Sequence, residues 1–140
     1  MLFNEYEINL IKTETYLVQN TTKQGNLAFE DEQLYPWIIQ NDTHDYLFLL
    51  SYNELTDVKF GFSNIPDQEC ASRQASVSDY FKKTTGTEGD YGCYWTRSPG
   101  NKSYVVYIVD NDGKIVLREN VSYDYYGVRP CMVISYELIK

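Results

Sequence analysis

Residues 91–119 read YGCYWTRSPGNKSYVVYIVDNDGKIVLRE, and this stretch decides the class of fold. Extended segments alternate with turn formers: residues 92–96, a Ser98-Pro99-Gly100-Asn101 turn, residues 103–110, an Asp112-Gly113 turn, then residues 114–119. Asp-Gly tolerates the positive φ that a tight hairpin needs and Pro-Gly interrupts a strand, so the pattern predicts an antiparallel meander. Within residues 103–110, alternation sets Tyr104 with Val106 and Ile108 on one face and Tyr107 with Val105 and Val109 on the other. At least one of these tyrosines is therefore expected in the core.

Working upstream, Ser51 stands three residues before Glu54, the spacing of a capping box, so a short helix is expected over residues 52–57. The apolar run Tyr46-Leu47-Phe48-Leu49-Leu50 that feeds it reads as a central strand covered on both faces. A second short helix is expected over residues 77–83, closed by Gly86. Nearer the start, Asn4, Glu7 and a Phe3–Ile8 staple predict a helix over residues 5–12, followed by a short strand over 15–19 and a polar loop over 20–33. Downstream, Cys131-Met132-Val133-Ile134-Ser135-Tyr136 reads as another two-faced strand. There is no internal repeat, and 140 residues supply one core, so residues 1–140 are expected as a single α+β domain: a twisted antiparallel sheet, two or three short helices and long irregular loops.

The composition narrows the partners. A formal charge of −8, from 20 acidic and 12 basic residues, repels phosphate backbones and anionic headgroups, so neither nucleic acid nor membrane insertion is expected. Cys70, Cys93 and Cys131 lack CxxC or Cys/His spacing, so no metal and no cofactor is expected, while one disulfide plus a free thiol stays open. Asp110-Asn111-Asp112-Gly113 begins like a calcium loop but lacks the later ligands and reads as a hairpin turn. His44, between Asp42 and Asp45, reads as part of a turn whose Asp and Thr side chains cap their own backbone.

Three stretches in order carry a family resemblance: Asn41-Asp42-Thr43-His44-Asp45-Tyr46-Leu47-Phe48-Leu49-Leu50-Ser51, Trp95-Thr96-Arg97-Ser98-Pro99-Gly100, and Tyr126-Gly127-Val128-Arg129-Pro130. Together they resemble an uncharacterised domain family of gut bacteria with the pattern N-D-T-x-D-x-x-F-L-L-S, W-x-R-S-P-G, G-V-R-P. That family looks like a branch of the C-type-lectin-like superfamily, which includes the Fibrobacter succinogenes major paralogous domains, formylglycine-generating enzymes and the variable proteins of diversity-generating retroelements. The resemblance implies a C-type-lectin-like fold and a bacterial protein placed outside the cell or on its surface. Residues 1–10 lack the basic-then-apolar order of a signal peptide, so none is expected in this chain. The resemblance implies strands and a helix upstream of Phe3-Asn4-Glu5 that residues 1–140 do not supply, so the strand ending near Tyr136 is expected to leave an open sheet edge, to be paired in a homodimer or repaired by the loop between Asn20 and Trp37.

Within the signature, Trp95, Arg97, Gly127 and Arg129 read as structural. Trp95 is expected in the core, and the two arginines are expected to clamp loop carbonyls or a buried carboxylate. Ligand contact is assigned to Asn101, Tyr104, Asn111, Tyr123, Asp124, Tyr125 and Tyr126, a Tyr/Asn/Asp palette resembling antibody paratopes. In the retroelement variable proteins the corresponding strands and loops capture ligands. The expectation is a non-catalytic recognition module for a protein or glycan. The alternatives are a formylglycine-generating-like oxidoreductase using Cys93 or Cys131, and an accessory domain that packs or oligomerises through its tyrosine-rich face.

Overall fold

The helix-start signal at Ser51 is realised in full. In the computed structural model, which describes residues 5, 15–18, 42–100, 102–118 and 121–134, the Ser51 hydroxyl accepts the Glu54 backbone N–H at 3.2 Å and the Glu54 carboxylate accepts that of Ser51 at 2.8 Å. Helix α1, Tyr52–Leu55, follows directly. Helix α2, Asp79–Thr85, starts from a Ser78 cap and ends at Gly86 in the left-handed conformation, so it lies two residues later than residues 77–83. Two single-turn 3-10 helices, Val58–Phe60 and Ala71–Arg73, join these elements. Glu5 is helical, and the rest of the helix expected over residues 5–12 lies outside the described residues, as does the loop over 20–33.

Strands β1, Tyr16–Val18, and β2, Thr43–Asp45, pair antiparallel. Strands β3, Tyr94–Pro99, β4, Val106–Val109, and β5, Ile115–Arg118, form an antiparallel sheet in that order. The β4–β5 turn is the expected Asp-Gly hairpin. Asp110 Oδ1 accepts the N–H groups of Asp112 and Lys114, each at 2.9 Å. Gly113 has φ +81°, and a Cβ there would lie 2.1 Å from the Cys70 carbonyl oxygen, so only glycine fits. This is an α+β fold, with its sheets antiparallel as the meander pattern requires.

Two strand assignments and one turn are corrected. Residues 46–50 are not a two-faced strand: Tyr46 and Leu47 are exposed, and Phe48 makes a single bridge to Cys131. The ladder lies just upstream, in β2, and the carbonyls of Leu49 and Leu50 are taken by the Arg97 guanidinium and backbone N–H. The run thus serves as an extended strap leading to the Ser51 cap. Residues 131–134 likewise contribute only the Cys131 bridge, with residues 135–136 and the open edge expected there outside the described residues. The turn placed at Ser98-Pro99-Gly100-Asn101 shifts to residues 102–105, because fully buried Ser98 accepts the Tyr52 backbone N–H and keeps β3 extended through Pro99. A register irregularity between Trp95 and Pro99 accommodates the proline, which cannot donate to a ladder.

The core gathers Leu55, Tyr94, Val109 and Ile115, with Leu50, Phe62 and Tyr107 packed against it. Tyr107 is the inward tyrosine, edge-on to Tyr52 at 5.2 Å, whereas Tyr104 is exposed. Arg73 is 0% exposed and spends its guanidinium on five carbonyls, those of Gly113, Leu55, Ser63, Ile65 and Gln68. It ties the irregular middle of the chain to the β4–β5 turn. On the other side, the backbone of Gly127 exchanges hydrogen bonds with Cys93 and Trp95 at 2.8 and 3.0 Å, extending the sheet beyond β3 by one parallel bridge. That bridge positions the tyrosine loop described next.

Candidate functional site

The four signature residues hold the scaffold. Arg97 makes a bidentate pair with the Glu54 carboxylate and donates to the Leu49 carbonyl. Arg129 donates to the Arg73 carbonyl and the Tyr94 hydroxyl, its guanidinium 5.4 Å from the Tyr94 ring centre. Both arginines therefore bond to carbonyls, a carboxylate or a phenol within the protein. Trp95 differs: it is half-buried and is covered by Tyr126 edge-to-face at 4.8 Å, because β3 turns Tyr94, Thr96 and Ser98 toward the interior instead. Gly127 lets the chain pass close to Phe81 of α2, where a Cβ would come within 3.0 Å of the ring.

From this bridge the preceding loop displays Tyr123, Tyr125 and Tyr126 as one aromatic cluster. Tyr123 stacks on Tyr125 at 5.1 Å, and Tyr125 meets Tyr126 edge-to-face at 4.9 Å. Tyr125 is 45% exposed. Opposite stands the loop that joins α2 to β3. Gly86 stops the helix, and the chain is then pinned by the Val77 N–H on the Asp90 carbonyl and by a Ser76–Tyr91 bridge. The Lys82–Asp90 ion pair at 3.0 Å spans the same turn, though Asp90 is too exposed for it to contribute much. Gly92 lets β3 enter directly against α2, since a Cβ would sit 2.5 Å from Val77 Cγ1 and 3.0 Å from Phe81.

Between the two loops lies a groove of about 490 Å³. Tyr125 and Tyr126 line it from the tyrosine loop, Thr85, Thr87, Glu88 and Tyr91 from the end of α2 and the loop after it, and Asn111 from the β4–β5 turn. Its volume falls in the range typical of small-molecule sites. Among the described residues, neither the Glu88 carboxylate nor the Asn111 side-chain amide has a hydrogen-bond or ion-pair partner, whereas the Thr85 and Thr87 hydroxyls bond to each other at 2.7 Å.

The residues assigned to ligand contact thus divide. Asn111, Tyr125 and Tyr126 share the groove, and Tyr123 backs it through Tyr125. Asp124 is exposed beside it in sequence without lining it. Tyr104 is exposed and does not line the groove; it lies beyond the opposite end of β4 from Asn111, where its carbonyl accepts the Val121 N–H at 3.2 Å. Asn101 lies outside the described residues. From the sequence, ligand contact is assigned only to residues 101–126, which passes over segment 85–91. Its signal was Gly86 followed by the short polar segment Thr87-Glu88-Gly89-Asp90 and then an aromatic residue ahead of a strand.

Elsewhere, His44 is exposed on β2, and Thr43 donates to Asp45 at 2.6 Å. All three cysteines are free, so the disulfide left open by the sequence does not form. Burial pushes the Cys131 thiol above its usual value. Burial acts in the same direction on Cys70, but hydrogen bonds from Ser72 and from the Ser63 and Arg73 backbone, with the Arg73 charge, outweigh it and bring that thiol down to about 7. Among the described residues, no group of three or more His, Cys, Asp or Glu side chains could hold a metal ion, and no helix is long and apolar enough to cross a membrane.

A family model described as a domain of unknown function, DUF6273, matches residues 3–136, and the chain belongs to that family. No curated protein and no solved structure matches it.

Proposed function

With membership of that family as the premise, we propose that the chain is a non-catalytic recognition module of C-type-lectin-like ancestry, carried by a bacterial protein that works outside the cell or on its surface. The observation that carries this reading is the convergence on one groove of Asn111, Tyr125 and Tyr126 with Thr87, Glu88 and Tyr91. Exposed aromatic clusters of this kind are costly to leave in water and mark contact surfaces. Loops seated on a rigid sheet are where binding residues concentrate. The signature residues bond to carbonyls, to a carboxylate or to a phenol inside the protein, which leaves recognition to the loops they hold.

The test is binding of the purified domain to a broad array of glycans and bacterial surface proteins, in calcium and in chelator. The wild-type protein is expected to give a calcium-independent hit that the Tyr91→Ala/Tyr125→Ala double variant loses. Both residues are exposed, at 42% and 45%, so the melting temperature should move by no more than about 4 °C. Silence of the wild-type protein across the array, or undiminished binding by a folded double variant, refutes the reading and favours an accessory domain that packs through this face.

A further inference from the structure

The chemistry of the groove is specific enough to name a class of ligand. Its accessible groups are of two kinds. Tyr91 and Tyr125 present large aromatic surfaces, and Tyr126 sits edge-on beside Tyr125. Glu88 and Asn111 bring a carboxylate and an amide whose hydrogen-bonding capacity no side chain or backbone group uses among the described residues. Among the described residues, no lysine or arginine lines the groove: Lys82 is paired with Asp90, and Lys114 faces Asp112 at 3.9 Å.

Charge excludes one class of ligand. A phosphate, sulfate or carboxylate would meet Glu88 with no cation among the described lining residues to offset it, on a chain of formal charge −8. Ring geometry argues against a second class. An aromatic cage for a quaternary ammonium holds its rings apart around the guest, each within about 6 Å of the cation. Here the Tyr125 and Tyr126 rings touch one another, with centres 4.9 Å apart and planes at 67°, and Tyr123 stacks on Tyr125 at 5.1 Å. These three rings pack against one another with no space among them for a cation, and Tyr91 adds an aromatic surface to the groove from the loop after α2.

We propose that this groove binds a neutral saccharide, a step that rests on the recognition reading above. A pyranose has a face of C–H bonds carrying partial positive charge, suited to the negative face of a tyrosine ring, and a rim of hydroxyls that donate and accept hydrogen bonds. Glu88 supplies acceptors for two hydroxyls, while Asn111 supplies both a donor and an acceptor. A platform with a polar rim in a groove of about 490 Å³ takes a short oligosaccharide lying along it.

The experiment is a titration of the isotopically labelled domain, followed by amide NMR shifts, with linear oligosaccharides of glucose, of mannose and of N-acetylglucosamine. Choline and a sulfated heparin oligosaccharide serve as comparison probes. At least one neutral oligosaccharide is expected to shift the amides of residues 87–93, 111 and 123–127, saturably. Tyr125→Ala and Asn111→Ala should each weaken that binding by about fivefold or more. Glu88→Gln should stay within about threefold, since a carboxamide still bonds hydroxyls and a neutral ligand loses no charge partner. Choline shifting the same amides, with loss on Glu88→Gln and no response to the sugars, overturns the saccharide and leaves the groove as a site for a cation. If no neutral sugar shifts these amides while the array yields a protein ligand lost in the Tyr91/Tyr125 variant, the saccharide is refuted and the recognition module stands.

Discussion

Glu54→Gln changes one atom and should cost this fold more than almost any other isosteric substitution. Glu54 is 8% exposed, and its carboxylate accepts four hydrogen bonds. Oε1 takes the Tyr16 hydroxyl at 2.7 Å and one Arg97 nitrogen at 2.9 Å; Oε2 takes the Ser51 backbone N–H at 2.8 Å and a second Arg97 nitrogen at 2.5 Å. An amide at this position must direct its NH₂ at one of these pairs, so in either orientation two donors lose their acceptor. Arg97 is left charged, its side chain only 11% exposed, with Nε already lacking an acceptor among the described residues. Breaking a buried pair from one side costs about 3–5 kcal/mol, against a total stability of about 5–15 kcal/mol. With a urea slope of about 2 kcal/mol/M, the denaturation midpoint should fall by roughly 1.5–2.5 M. The pH dependence has a definite sign. Burial alone would raise the Glu54 pKa, but Arg97, the Ser51 N–H and the Tyr16 hydroxyl outweigh it and hold the group below its ordinary 4.5. The stabilisation is therefore complete above that value and is lost as pH falls through the lowered folded pKa, a loss the Gln variant should not repeat. Urea titrations followed by circular dichroism at neutral and acid pH measure both effects. A loss below about 1 kcal/mol, the range of an exposed ion pair, refutes the reasoning.

Two further outcomes follow from the backbone and the thiols. Gly113→Ala forces an L-residue to φ +81° with its Cβ against the Cys70 carbonyl, so it should destabilise by at least about 2 kcal/mol in the same urea assay; a near-neutral variant would show that the turn relaxes freely. Ultraviolet titration of thiolate absorbance should find one group ionising near pH 7, lost in Cys70→Ser and retained in Cys131→Ser, because Cys70 is brought down to about 7 while burial raises Cys131; a first ionisation at 9 or above would contradict the Ser72 and Arg73 contacts.

Local signals were legible wherever the physics is local. Ser51 with Glu54, Gly86 after α2 and Asp-Gly between β4 and β5 each act through backbone groups within a few residues, and each stands close to where the sequence puts it. Readings that needed a distant partner fared differently. The run 46–50 has the apolar content of a central strand, yet its carbonyls go to Arg97, 47 or 48 residues away, which no periodicity reveals. Arg73 is the plainest omission. A fully buried arginine bonded only to carbonyls looks in sequence like any surface cation. For the groove, the tyrosines were visible as composition, but the residues of the loop leaving α2 that line it with them join them only through tertiary contact, near the Gly127 bridge to Tyr94.

That construction separates what holds the molecule together from what it presents. Glu54, Arg73, Arg97 and Arg129 bind elements far apart in sequence, so their loss is felt by the whole fold. The groove loops are secured near their ends: one by the Val77–Asp90 hydrogen bond and the Ser76–Tyr91 bridge, the other by Val121 on the Tyr104 carbonyl and by Gly127 on Cys93. Glu88 and Tyr125, between those anchors, are exposed. Substitutions between the anchors therefore act on the shape and chemistry of the groove at little cost to stability, whereas Gly92 and Gly127, where α2 packs against the sheet, couple the two. A side chain at Gly92 would push Phe81 and Val77 aside and move the Thr85–Tyr91 wall relative to Tyr125. Binding would change there even though Gly92, itself part of the groove lining, offers a ligand no side chain.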